Sequence, residues 1–143
     1  MIPAGPLFHK PKSIIAARNI LYTALFLEAL VFIIQQFIST TPGQPDIRVL
    51  FPNGILLVFL YVAIRYIGFG KKWARILFLV LFILNVLASK LFVPFLFKTN
   101  LALGFLFVLQ MLLQILALVF LYSKSSNEWF NSFDSENTSE RKL

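Results

Sequence analysis

Cysteine is absent from the 143 residues, which removes disulfides, thiolate metal ligands and cysteine nucleophiles together. Histidine occurs once, as His9, with no second histidine or paired carboxylate beside it, so no metal site is expected. Charged residues make up only 13%, and acid is the scarcer sign, with 6 Asp and Glu against 13 Lys and Arg. No hydrolase triad, phosphate-cradling glycine loop or pair of catalytic carboxylates can be assembled from these residues. The sequence therefore predicts neither an enzyme nor a bound cofactor. The formal charge of +7 is strung between hydrophobic blocks rather than gathered on one soluble face, which argues against nucleic acid as a partner.

What the chain has is apolar mass. Its hydrophobic fraction is 59% and its mean hydropathy +0.82, more than a water-soluble domain of this length can bury. Four blocks, near 19–38, 54–69, 73–97 and 101–122, each approach the length needed to cross about 30 Å of hydrocarbon as a helix. The second is the shortest and contains Arg65, whose long side chain can carry its charge to the interface. The first is too long for a signal-peptide core and lacks a small-x-small cleavage pattern, so it is expected to remain as a membrane helix.

Lys10, Lys12 and Arg18 precede the first block; Arg65, Lys71, Lys72 and Arg75 lie between the second and third; Lys124, Arg141 and Lys142 follow the fourth. Only Arg48, Lys90 and Lys98 fall on the opposite side. The positive-inside rule then places both termini in the cytoplasm. The expected fold is all-α, a membrane-embedded antiparallel four-helix bundle with both termini cytoplasmic. Residues 1–12 form a cytoplasmic N-terminal segment, 13–123 the four-helix domain with spans at about 14–38, 54–69, 73–97 and 101–122, and 124–143 a flexible cytoplasmic tail.

Pro3, Pro6 and Pro11 keep the start irregular, and Ser13 is a credible helix cap. Pro42, Gly43 and Pro45 end the first helix, and Val49, Leu50 and Phe51 are expected in the outer interface before Pro52, Asn53 and Gly54 begin the second. Gly68 and Gly70 close that helix, Trp73 is an inner belt residue, and Pro94 is expected to kink or end the third helix before a turn through Lys98, Thr99 and Asn100. In the polar tail, Trp129, Phe130 and Phe133 are expected to touch the interface, with a partner-docking motif as the other reading of Trp129 and Phe130.

Glu28 lies near the middle of the first block, where a charge costs on the order of 2.5 to 3.5 kcal/mol on insertion scales. Helical spacing puts Ala17, Leu21, Ala24, Glu28, Val31 and Gln35 on one stripe. The matching lines are Gly54, Val58, Tyr61, Arg65 and Gly68 in the second helix, Phe78, Leu81, Asn85, Ala88 and Ser89 in the third, and Gln110, Gln114 and Ala117 in the fourth. At about 1.5 Å per residue, Glu28, Tyr61, Asn85 and Gln110 share a depth near the bilayer centre, with Gln114 one turn away. A neutral Glu28 donates to an amide oxygen there, whereas Arg65, if it reaches, favours the carboxylate.

Three readings of this candidate intramembrane polar site follow. It is interhelical glue, with hydrogen bonds of roughly 0.6 to 2 kcal/mol each; or Glu28 exchanges a proton or holds a cation; or the stripe contacts another membrane protein. The inner-face cluster Lys71, Lys72 and Arg75 reads as a topology signal, with an anionic-lipid or partner site as its alternative.

The stretch Gly70-Lys71-Lys72-Trp73-Ala74-Arg75-Ile76, the glutamine-bearing fourth span and Trp129-Phe130 together resemble a group of small four-helix bacterial membrane proteins of uncharacterised function. That resemblance implies a bacterial cytoplasmic (inner) membrane. Glu28 in the first of four helices resembles the small multidrug resistance transporters, which implies proton-coupled export. Size and helix number are also similar to those of membrane-embedded immunity proteins against pore-forming toxins. Residues and resemblances together lead to a non-enzymatic membrane protein acting through helix–helix interaction, as a homo-oligomer or accessory subunit of a larger membrane partner. The alternatives are a proton- or cation-coupled transporter using Glu28, or an immunity protein.

Overall fold

A computed structural model describes residues 10–39 and 47–140, and among them the regular structure is helical throughout: α1 (Lys12–Ser39), α2 (Ile47–Gly68), α3 (Lys72–Thr99), α4 (Leu101–Leu121) and α5 (Lys124–Glu140). His9, the loop from 40 through Asp46, and the tail cations Arg141 and Lys142 lie outside the described residues. The first four helices are long and apolar enough to cross a membrane, with hydropathies of 1.8, 1.5, 1.8 and 2.5 in their spanning stretches. This is the pattern of a multi-pass integral membrane protein.

Two helices outrun their expected limits at proline. α2 starts at Ile47 and holds Pro52 inside it, so Val49–Phe51, expected to precede the helix, already belong to it. α3 likewise continues through Pro94 to Thr99. A proline loses one backbone bond and crowds the preceding turn, but near the end of a span neighbouring helices and local adjustment absorb this, and an unwound backbone in hydrocarbon would cost more.

The turns are built from a few residues. At the end of α2, Gly70 takes φ 76°, and the amides of Gly70 and Lys71 return to the carbonyls of Ile67 and Tyr66, a Schellman closure that needs the left-handed freedom of glycine. Between α3 and α4, the Asn100 side chain accepts from the Ala102 amide at 2.9 Å while its own amide donates to Leu96 O. That one residue ends one helix and caps the next.

Around the bundle each helix meets the next, with α1 and α4 in the most extensive contact. Packing is unequal along its length. The beginnings of α1 and α3 and the ends of α2 and α4 share a dry core that includes Ile14, Leu21, Ile64, Ile67, Phe78 and Leu121. Ala17, Ala63, Ala74 and Ala117, one from each helix, are all 0% exposed within it. Small residues let membrane helices approach closely, which compensates for the weak apolar drive between helices already in lipid.

The expected flexible tail is instead α5, at least as far as Glu140. Ser126 Oγ donates to Phe120 O at 2.7 Å, the Asn127 amide bonds Ser123 O, and Phe130 and Trp129 are buried in the same core rather than lying in the lipid interface. Two aromatics anchored in this way outweigh the polar average of the segment; the Phe133 side chain lies outside the described residues. At the opposite end, a Cβ on Gly104 would sit 2.8 Å from the Phe97 ring, itself edge-on to Phe105. Gly104→Ala is expected to destabilise the α3–α4 contact by about 1 to 3 kcal/mol, read as a lower melting temperature in detergent.

Candidate functional site

Beyond the apolar core, towards the α3–α4 turn, the four spanning helices line a partly open cavity of about 270 Å³. Its polar lining comes from all four: Glu28 and Gln35 on α1, Asn53 on α2, Asn85 and Ser89 on α3, and Gln110 on α4. The α1 seam falls where its spacing puts it, with Ala17, Leu21, Ala24 and Val31 buried and Glu28 and Gln35 opening on the cavity. In α3, Asn85, Ala88 and Ser89 all reach it, as does Gln110 of α4.

Glu28 has a sparse set of partners. Gln114 Nε2 donates to Glu28 Oε2 at 3.5 Å, a long bond near the geometric limit. Among the described residues no cation faces the carboxylate. Arg65, the expected ion-pair partner, is exposed on the outside of α2 with its guanidinium 5.3 Å from the centre of the Phe69 ring. Tyr61 also leaves the layer: it is 49% exposed and its ring lies 6.4 Å from that of Tyr22.

These two departures share a cause. The face of α2 that packs inward carries Leu60, Ala63, Ile64 and Ile67, with Asn53 and Leu56 continuing it into the cavity. The line through Val58, Tyr61 and Arg65 is the opposite, outward face. Tyrosine and arginine have apolar bodies and polar tips, so they tolerate that position by extending towards the interface. Asn53 escaped the sequence reading because Pro52 suggested a helix start; the signal for it was the spacing from Asn53 through Leu56 and Leu60 to Ala63 and Ile67.

Gln110 defines the chemistry most sharply. It is 0% exposed, yet neither its amide nitrogen nor its oxygen has a hydrogen-bond partner, and Gln114 Oε1 is likewise unpartnered. Each unsatisfied buried polar group costs about 1 to 3 kcal/mol. A closed set of interhelical bonds would have paired these amides with one another. The cavity is lined by one carboxylate and several amide and hydroxyl residues, and a water claims about 30 Å³ of such a volume. Several waters fit, or one small solute, since pockets for larger organic ligands begin near 300 Å³. Among the described residues no cluster of His, Asp or Glu could hold a metal ion.

Gln110→Leu separates the two roles. If the amide were interhelical glue, its removal would lower stability. Because it bonds to nothing among the described residues, we expect an unchanged or raised melting temperature; were the cavity to hold a charged ligand, its binding would weaken at least about tenfold, since a hydrogen bond to a charged partner contributes about 1.5 to 3 kcal/mol. Thermal unfolding and binding titration on the same preparation check both halves.

The basic cluster read from sequence is divided in the structure. Lys71 is exposed and Lys72 half-buried at the start of α3, whereas Arg75 turns inward. Its Nη1 donates to Leu121 O at 3.2 Å and to Asn127 Oδ1, and its guanidinium lies 4.5 Å from the Tyr122 ring centre and 4.7 Å from that of Phe130. Arg75 is thus the fastening of α5 to the bundle. No family model, curated protein or solved structure matches the chain.

Proposed function

We propose that this multi-pass membrane protein binds a small cation, the proton included, at Glu28 and carries it as a small proton- or cation-coupled transporter. The observation behind this reading is the unpartnered Gln110 amide facing the same cavity as a carboxylate with no cationic partner. An intramembrane acid without a counter-ion favours a cation or a proton as its neutralising partner, and neighbouring amide oxygens replace part of a cation's hydration. Gln110 reads less well as glue, because glue would be bonded. No specific feature of the outward faces favours a homo-oligomer or an accessory subunit over lipid.

In this reading the bundle is antiparallel and both termini are cytoplasmic, supported by the basic residues at the starts of α1 and α3 and by the meeting of the start of α1 with the end of α2, where Lys10 Nζ donates to Gly68 O at 2.6 Å. A bacterial inner membrane suits the same charge distribution. The experiment is reconstitution in liposomes with a pH-sensitive dye inside, comparing wild type with Glu28→Gln across inorganic monovalent cations and small organic ammonium ions. Equal flux for both proteins would overturn the proposal.

A further inference from the structure

Lys10 and Arg18 reach one place from two different positions, just before α1 and within its second turn. A Cβ on Gly68 would lie 3.4 Å from Arg18 Cδ, 3.7 Å from Arg18 Nη1 and 4.0 Å from Lys10 Nζ. Burial, and after it the charge of Arg18, holds Lys10 below the ordinary lysine range. Among the described residues no carboxylate pairs with either side chain: Lys10 meets the Gly68 carbonyl and the face of Trp129, and Arg18 Nε is shielded from solvent with no acceptor. Glu28, the acid on the same helix, is about 15 Å further along at 1.5 Å per residue.

Two adjacent, partly desolvated cations repel and call for an anion. An arginine fork matches phosphate oxygens in pairs, and a lysine adds a point charge. The convergence lies where the first spanning stretch begins and the second ends, the level of lipid headgroups, where basic residues near a membrane surface recognise anionic lipids. Lys71 and Lys72 follow directly after the α2 turn and extend the positive field. We propose that Lys10 and Arg18, converging over Gly68, bind the phosphate of an anionic lipid headgroup. The site is separate from the Glu28 cavity and stands or falls without it.

Trp129 supplies the readout, because Lys10 Nζ lies 5.7 Å from its ring centre. The full chain with Trp73→Phe, in neutral detergent, is titrated with short-chain phosphatidylglycerol, with phosphatidylcholine of the same chain length, and with inorganic phosphate, following Trp129 fluorescence. A saturable response to phosphatidylglycerol is expected, weakened at least about tenfold by Arg18→Gln and by Lys10→Gln and little changed by the double variant Lys71→Gln, Lys72→Gln. An equal response to phosphatidylcholine, or one lost in the double variant and kept in Arg18→Gln, overturns the site. A response to inorganic phosphate as strong as that to phosphatidylglycerol overturns the lipid as its source. Should Arg18→Gln not fold, Lys10→Gln decides.

Discussion

Glu28→Gln is expected to abolish cation-dependent flux, by at least about a hundredfold, while the protein remains folded. The size follows from the sparse surroundings of the carboxylate. Its hydrogen bond to Gln114 is long, and among the described residues no basic one lines the cavity, so the charge on Glu28 is the principal attraction for a cation in a medium that weakens it little. Losing one unit of charge at a desolvated site removes about 3 to 5 kcal/mol or more, and about 2.7 kcal/mol already corresponds to a hundredfold. Stability should change in the opposite direction: a neutral amide is cheaper to hold among hydrocarbon than a carboxylate, so the melting temperature of the variant should equal or exceed that of wild type. Dye-loaded liposomes and thermal unfolding measure the two effects. Retained flux would return the polar layer to a packing role.

Arg75→Ala carries the largest expected structural effect, the release of α5. The replaced side chain bonds to the last carbonyl of α4 and to Asn127 of α5 while lying over Tyr122 and Phe130. Charge-assisted hydrogen bonds contribute about 1.5 to 3 kcal/mol and a desolvated cation–π contact up to about 2 kcal/mol. A helix of 17 residues with a polar composition has little stability apart from its docking. Trypsin should therefore cut at Lys124 at least about tenfold faster in Arg75→Ala, with an intermediate rate in Arg75→Lys, which keeps the charge but not the planar fork. Mass spectrometry of the fragments identifies the site. An unchanged rate would show that Trp129 and Phe130, with the Ser13–Ser126 hydrogen bond, hold the helix without Arg75.

The legible and illegible parts of this molecule divide along a physical line. Near the middle of α1, α3 and α4 the polar residues are carboxylate and amide types that lipid cannot accommodate, so they had to face inward and their spacing revealed the packed stripe. α2 gave the opposite result because Tyr61 and Arg65 tolerate an outward position, whereas its true inner face of Leu60, Ala63, Ile64 and Ile67 is no more apolar than a lipid-facing one. The depth of Glu28, Asn85 and Gln110 could be counted from the sequence; that they line one cavity rather than bond to each other could not, because pairing depends on side-chain reach across helices. α5 was hidden by averaging, since a polar segment with two adjacent aromatics looks flexible until the arginine that holds it, far away in sequence, is brought alongside.

The four alanines of the dry core have a consequence for how any carrier built on this plan must operate. Backbones drawn together around Ala17, Ala63, Ala74 and Ala117 place a packed apolar layer on one side of the Glu28 cavity. Under the proposed function, a cation held there crosses only when that layer parts. Flux under the proposed function would then saturate with concentration, each cycle waiting on the separation of helices, instead of rising in proportion as it does through an open pore. A larger side chain at one of those four positions would act on the turnover rate and leave the affinity of the chamber untouched.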